Sequence, residues 1–212
     1  ALMGFGDEDR FVVITDGNRL MNVLLLWRDA IPGDWKTLPD APSRRIAGME
    51  PASMGELDLK AVQTEQSVVV AGYGAFVVNN TPRNIPKGLP PNGHGLLAGA
   101  LGSNPRHQPF GVQKMVWNPE TWSFDSAWVN TRVSSPNGVP YVSLATNQVY
   151  FIGARKNRWV LEALDWDTGA CTFHYVIGGQ RFNSQYSCPV PDGMGGMMYG
   201  TTWGRARLVP TR

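Results

Sequence analysis

The residues best suited to chemistry lie close together. Between Thr81 and Pro109 the 212-residue chain carries Arg83, Lys87, His94, Arg106 and His107. Histidine titrates near neutral pH and is the commonest general base, so His94 and His107 are the candidate catalytic residues. They sit too far apart for a zinc signature and have no Cys or Glu partner at a recognised spacing. The third histidine, His174, lies between Phe173 and Tyr175 and reads as a packing position in a strand. Cys171 or Cys188 would need a neighbouring base and a lowered pKa to act as a nucleophile. The sequence shows neither, so both read as buried packing residues. Gly-x-Ser-x-Gly, His-Glu-x-x-His and phosphate-binding Gly-Lys-Ser/Thr motifs are absent. Gly72-Tyr73-Gly74 lacks the following helix of a dinucleotide site, and Asp7-Glu8-Asp9 lacks the spacing of an EF-hand.

These side chains must be carried by β-structure. Glycine numbers 24, proline 16, and charged residues only 17% of the chain, below the roughly 25% of an average soluble domain. No long stretch shows helical periodicity. A formal net charge of +2, with both signs interspersed, excludes nucleic acid as the expected partner. The longest apolar run, Val23–Trp27, is strand length and falls well short of the ~18 residues of a membrane span. The chain begins at Ala1 without an initiator Met or charged leader, which is expected of a processed chain or a fragment. Low charge and eight Trp suit an extracellular or periplasmic setting.

The strands repeat. Trp117-Asn118-Pro119-Glu120-Thr121-Trp122-Ser123-Phe124 returns as Trp166-Asp167-Thr168-Gly169-Ala170-Cys171-Thr172-Phe173, just under fifty residues later. Gln148-Val149-Tyr150-Phe151-Ile152-Gly153 returns as Met197-Met198-Tyr199-Gly200. In an all-β chain a period of this size predicts propeller blades. Four units follow, at about 1–50, 62–131, 137–178 and 183–210, in a single β-propeller domain. The first predicted strand of the last unit is Gln185–Pro189, and that unit lacks an outer strand. About four blades then form part of a larger six- to eight-bladed ring, completed by a missing N-terminal segment or a second chain. Ala52–Leu59 is a linker, and Thr81–Pro109 is an irregular stretch longer than the ~12–15 residues usual for a structureless loop. Cys171 opens an outer strand and Cys188 lies on an inner strand. That places them about three spacings of ~4.8 Å apart, beyond the ~4.4–6.8 Å Cα separation of a disulfide. The Trp residues at 117, 122, 128, 159 and 166 are expected between adjacent blades.

Two families resemble parts of this pattern. Val149-Tyr150-Phe151-Ile152-Gly153 with Leu161-Glu162-Ala163-Leu164-Asp165-Trp166-Asp167-Thr168-Gly169 is similar to the quinoprotein-type (PQQ-like) repeat, and Tyr199–Leu208 fits the same pattern. The quinone-binding residues of the dehydrogenases are not apparent. Ser135-Pro136-Asn137-Gly138-Val139 resembles the inner-strand start of gluconolactonase and strictosidine-synthase-like six-bladed propellers. That resemblance implies a Ca2+ ion over the channel, held by Asn137 with Glu65 and Asn183 at matching levels; oxygen ligands suit such a hard cation.

Two functions are therefore expected. The first is a noncatalytic propeller module that binds a ligand or partner at its channel mouth, through Asn79, Asn80, Arg83, Tyr141 and Tyr186. The second is a calcium-dependent lactonase or esterase-type hydrolase in which the ion polarises a carbonyl and His94 or His107 serves as base.

Overall fold

The computed structural model describes residues 1–55, 59–90 and 93–210. Part of the predicted linker (56–58) and two positions of the long irregular stretch (91–92) lie outside the described residues. The chain is all-β and folds into four antiparallel sheets, each with its strands hydrogen-bonded in chain order. Sheet 1 holds β1 (Leu2–Met3), β2 (Phe11–Thr15), β3 (Asn22–Trp27) and β4 (Ile46–Pro51). Sheet 2 holds β5 (Val69–Ala71), β6 (Gly74–Val78), β7 (Val112–Asn118) and β8 (Ser123–Asn130). Sheet 3 holds β9 (Tyr141–Ser143), β10 (Gln148–Arg155), β11 (Arg158–Asp165) and β12 (Cys171–Gly178). Sheet 4 has three strands, β13 (Val190–Pro191), β14 (Met197–Thr201) and β15 (Gly204–Leu208).

The strand patterns explain the layering. In β3, Val23, Leu25 and Trp27 are buried while Asn22, Leu24 and Leu26 are half-buried, the period of two that gives a strand one inner face. In β10 and β11 nearly every residue is buried, as expected of strands covered on both faces. The repeated tryptophans play one role twice. The Trp117 amide donates to the Tyr73 carbonyl at 3.0 Å and the Trp166 amide to the Asn147 carbonyl at 2.9 Å. Each thereby ties the end of a third strand to the turn between the first two.

Each sheet packs on the next. Phe11 and Trp27 of sheet 1 meet Trp117 of sheet 2, with ring centroids of Phe11 4.8 Å from Trp27 and 4.9 Å from Trp117. Trp35 and Trp122 extend this aromatic cluster. Phe76, Val112, Phe151, Leu164 and Trp166 join sheets 2 and 3, with Trp128 packed against them. Tyr150, Ile152, Trp159, Leu161 and Tyr199 join sheets 3 and 4. Close approach needs glycine at two points. A Cβ at Gly48 would lie 2.5 Å from the Phe124 Cβ, and one at Gly169 would lie 2.4 Å from the Trp128 ring.

Two charged side chains are buried, one between sheets 2 and 3 and one within sheet 3. The Lys114 ammonium donates to the Trp166 carbonyl at 2.7 Å and lies 4.4 Å from the centre of the Trp166 ring. Burial lowers its pKa, against the opposing pull of Asp167 and Asp165. The fully buried Glu162 accepts two bonds from Arg155, at 2.5 and 2.9 Å.

Three expectations are corrected. The Thr81–Pro109 stretch contains a helix, α1 (His94–Leu101), because His-Gly-Leu-Leu-Ala-Gly-Ala-Leu holds enough Ala and Leu to continue a helical turn once long-range contacts support it. The first strand of sheet 4 is Val190–Pro191 rather than Gln185–Pro189. Gln185 and Tyr186 have φ of 45° and 66°, which takes them out of the extended region. Both cysteines are free, but Cys171 is exposed rather than buried, because β12 is the outermost strand of its sheet.

Candidate ligand site on the glycine face of helix α1

Three polar segments precede the first strands of sheets 2, 3 and 4: Thr64-Glu65-Gln66, Ser134-Ser135-Pro136-Asn137 and Asn183-Ser184-Gln185-Tyr186. Hydrogen bonds join them into a circuit. The Asn80 carboxamide oxygen accepts from the Thr64 hydroxyl at 3.0 Å and the Glu65 amide at 2.8 Å. Its nitrogen donates to the carbonyls of Ser135 at 2.9 Å and Pro136 at 3.2 Å. The Tyr186 amide donates to the Asn137 carbonyl at 3.0 Å, and the Ser184 hydroxyl to Asn137 Oδ1 at 3.2 Å. The Tyr186 hydroxyl closes the circuit by donating to the Glu65 carboxylate.

Helix α1 lies on this circuit through two glycines. Gly95 and Gly99 are four residues apart and so share one face. A Cβ at Gly95 would lie 2.8 Å from both Glu65 carboxylate oxygens and 3.0 Å from the Tyr186 hydroxyl. One at Gly99 would lie 3.7 Å from Asn137 Nδ2. The Gly99 carbonyl accepts from Asn183 Nδ2 and, at 2.7 Å, from Gln180 Nε2. Apolar burial contributes little to holding the helix. Its buried residues are Ala98 and Gly99, Leu96 is 74% exposed, and its N-cap, Gly93, offers no side-chain cap.

Asn137 contributes an unpartnered donor to the circuit. Asn137 is 2% exposed, and its Nδ2 has no hydrogen-bond partner among the described residues. An unpaired buried amide costs roughly 1–3 kcal/mol and calls for an acceptor. Ser134 Oγ and Gln66 Nε2 are also buried and unpartnered. Tyr186 is pushed up to about 12, chiefly by burial and then by the hydrogen bond and charge of Glu65. The phenol therefore stays protonated and remains a donor at neutral pH.

The structure brings Glu65, Asn80, Asn137, Asn183 and Tyr186 to this helix. His94 opens α1 beside Gly95 and borders the site. The other candidates lie elsewhere. Asn79 joins the end of β6 to the start of β7 through the Phe110 carbonyl, at 3.0 Å. His107 Nδ1 lies 3.2 Å from the Arg83 carbonyl, and the Arg83 guanidinium lies 4.8 Å from the centre of the Phe110 ring. These residues brace the loop. Tyr141 lines a groove of about 640 Å³ between sheets 3 and 4. Gln180, Ser184, Gly95 and Gly99 were not legible as site residues, although the Gly-x-x-x-Gly spacing of the last two is a readable sign of close helix approach.

For a cation, the circuit supplies one carboxylate, that of Glu65. The Asn137 and Asn183 carboxamide oxygens are taken by the Ser184 hydroxyl and, at 3.0 Å, the Gln185 amide. Among the described residues no group of three His, Cys, Asp or Glu side chains could hold a metal ion, and no helix is long and apolar enough to cross a membrane.

No protein-family model matches the chain. It is 38% identical over 209 residues to an uncharacterized protein of Archaeoglobus fulgidus; the match covers 98% of this chain and 40% of that relative. The chain therefore spans less than half the length of the relative it matches.

Proposed function

We propose that the four sheets are successive blades of a β-propeller arc within a larger ring, and that the module binds a polar ligand where the blade-start segments meet beneath helix α1. The serial packing of meander sheets supports the arc, as does the recurrence of the Trp117 and Trp166 contacts. One observation carries the ligand reading. Among the described residues the buried Asn137 Nδ2 has no acceptor, and it faces a helix held by polar contacts along its glycine face. A ligand that donates and accepts hydrogen bonds would satisfy Asn137 and replace the Gly99 carbonyl as acceptor for Asn183 and Gln180.

Thermal melts against a panel of polyols, monosaccharides and dicarboxylates test this reading. A ligand at a hundred times its Kd adds about 2.7 kcal/mol, which for a chain of this size raises Tm by about 5–10 °C. The expected result is a rise that Asn137→Leu abolishes. A panel without effect, or an equal rise in the variant, refutes it. The calcium-hydrolase alternative requires the Asn137 and Asn183 oxygens to leave their present partners. A Tm that Ca2+ raises and a chelator lowers would revive that reading.

A further inference from the structure

The amide nitrogens gathered at Gly99 outnumber the lone pairs offered to them. The three atoms nearest to a Cβ at Gly99 would all be carboxamide nitrogens: Asn137 Nδ2 at 3.7 Å, and Asn183 Nδ2 and Gln185 Nε2 at 4.0 Å. A fourth, Gln180 Nε2, donates to the Gly99 carbonyl at 2.7 Å. These nitrogens face the helix because the amide oxygens are held elsewhere. The Asn183 oxygen accepts from the Gln185 amide at 3.0 Å, the Gln180 oxygen from the Trp159 indole at 3.2 Å and the Gln185 oxygen from the Thr202 hydroxyl at 3.0 Å. A carbonyl oxygen has two lone pairs, and Asn183 and Gln180 occupy both at Gly99. Asn137 Nδ2 stays buried without an acceptor among the described residues. A carboxylate, with two oxygens and about four lone-pair sites, matches the whole donor set.

One helical turn away, at Gly95, the chemistry reverses. Both Glu65 carboxylate oxygens lie 2.8 Å from a Cβ placed there, next to the Tyr186 hydroxyl. Glu65 is exposed, and among the described residues its carboxylate accepts from Tyr186 and pairs with no Lys, Arg or His. Its remaining lone pairs call for a donor, and its charge favours a cation. Side-chain positions four residues apart on a helix are about 5–6 Å apart. The surface under α1 therefore presents amide donors at one end and a carboxylate at the other, separated by about that distance.

We infer that the ligand of this site is a linear zwitterion, an ω-amino carboxylate whose two charged ends are about 5–6 Å apart. Its carboxylate takes the place of the Gly99 carbonyl and accepts from Asn183, Gln180 and Asn137. Its ammonium takes the place of Gly95 and donates to Glu65. Helix α1, which buries only Ala98 and Gly99, leaves these positions as the ligand enters. The assignment rests on the ligand reading of this site and adds the charge and length of the ligand.

The probes are γ-aminobutyrate and glutarate, which has a second carboxylate in place of the ammonium at the same chain length. Titration calorimetry reads their Kd on the unmodified protein and on Glu65→Gln, a change at an exposed side chain that leaves the core alone. The unmodified protein should bind γ-aminobutyrate at least tenfold more tightly than glutarate. Glu65→Gln should bind γ-aminobutyrate at least tenfold more weakly than the unmodified protein and glutarate no more weakly. Amide hydrogen exchange across His94–Leu101 should quicken at least tenfold when γ-aminobutyrate is bound. If glutarate or a polyol binds as tightly as γ-aminobutyrate and Asn137→Leu abolishes that binding, the zwitterion is overturned and the ligand reading stands. Unchanged γ-aminobutyrate affinity in Glu65→Gln, or unchanged exchange in α1 at saturation, also overturns the zwitterion. Failure of every probe to bind overturns both.

Discussion

Replacing the two glycines of the α1 contact face one at a time separates the proposed helix seat from ordinary helix propensity. Alanine in a helix interior is favoured over glycine by about 1 kcal/mol. At Gly99 the new Cβ meets its nearest atom, Asn137 Nδ2, at 3.7 Å, an ordinary contact distance. Gly99→Ala should therefore gain about 0.5–1 kcal/mol, raising Tm by about 1–4 °C. At Gly95 the Cβ would stand 2.8 Å from both Glu65 oxygens and 3.0 Å from the Tyr186 hydroxyl. Glu65 must move, and its hydrogen bond to Tyr186 opens. A bond to a charged group contributes about 1.5–3 kcal/mol, at the lower end here because the pair is exposed. After the propensity gain, Gly95→Ala should be neutral to about 1 kcal/mol destabilised. It should also lower the Tyr186 pKa from about 12 toward its ordinary value, because the Glu65 bond and charge help hold it up. Denaturant melts read the stabilities, and ring-labelled tyrosine NMR across pH 9–13 reads the phenol. If both variants stabilise equally and the phenol does not move, α1 does not sit on Glu65 and Tyr186.

Three further outcomes are expected. Asp192 is held down to about 2, first by the Arg207 hydrogen bond and then by the Met194 and Gly196 amides; this stabilisation is present above about pH 4 and lost as pH falls toward 2. Asp192→Asn should lower Tm at pH 7 and flatten the pH dependence of Tm between 4 and 2. With a thiol-reactive reagent at pH 8, the exposed Cys171 should label faster than the half-buried Cys188, which burial pushes up to about 11; equal rates would contradict that placement. Trp117→Ala should cost about 3–5 kcal/mol in a denaturant melt, because Trp117 is 1% exposed at the junction of sheets 1 and 2.

Most of the strand order was legible because its signals are local. The strand-length apolar run Val23–Trp27 and the spacing of Trp117 and Trp166 depend on neighbours in the chain or on the next hairpin. Helix α1 was not legible. Its eight residues include two glycines and lack both a side-chain cap and an amphipathic stripe. It is held by Asn183 and Gln180, more than eighty residues away. The start of sheet 4 was misplaced for a related reason. Gln185 and Tyr186 take left-handed backbone conformations in the segment that reaches Asn137 and Glu65, and extended-strand propensity does not report such a demand.

The sequence by itself determined an all-β chain of repeated antiparallel units, a last unit one strand short, and polar residues at the start of each unit. Tertiary structure decided what those residues meet. Glu65, Asn137 and Asn183 are read alike by position, yet one accepts from a phenol, one leaves an amide unpaired and one donates to a helix carbonyl. Hydrogen-bond partners drawn from four separate segments depend on how the sheets stack. No local pattern of residue types encodes that arrangement.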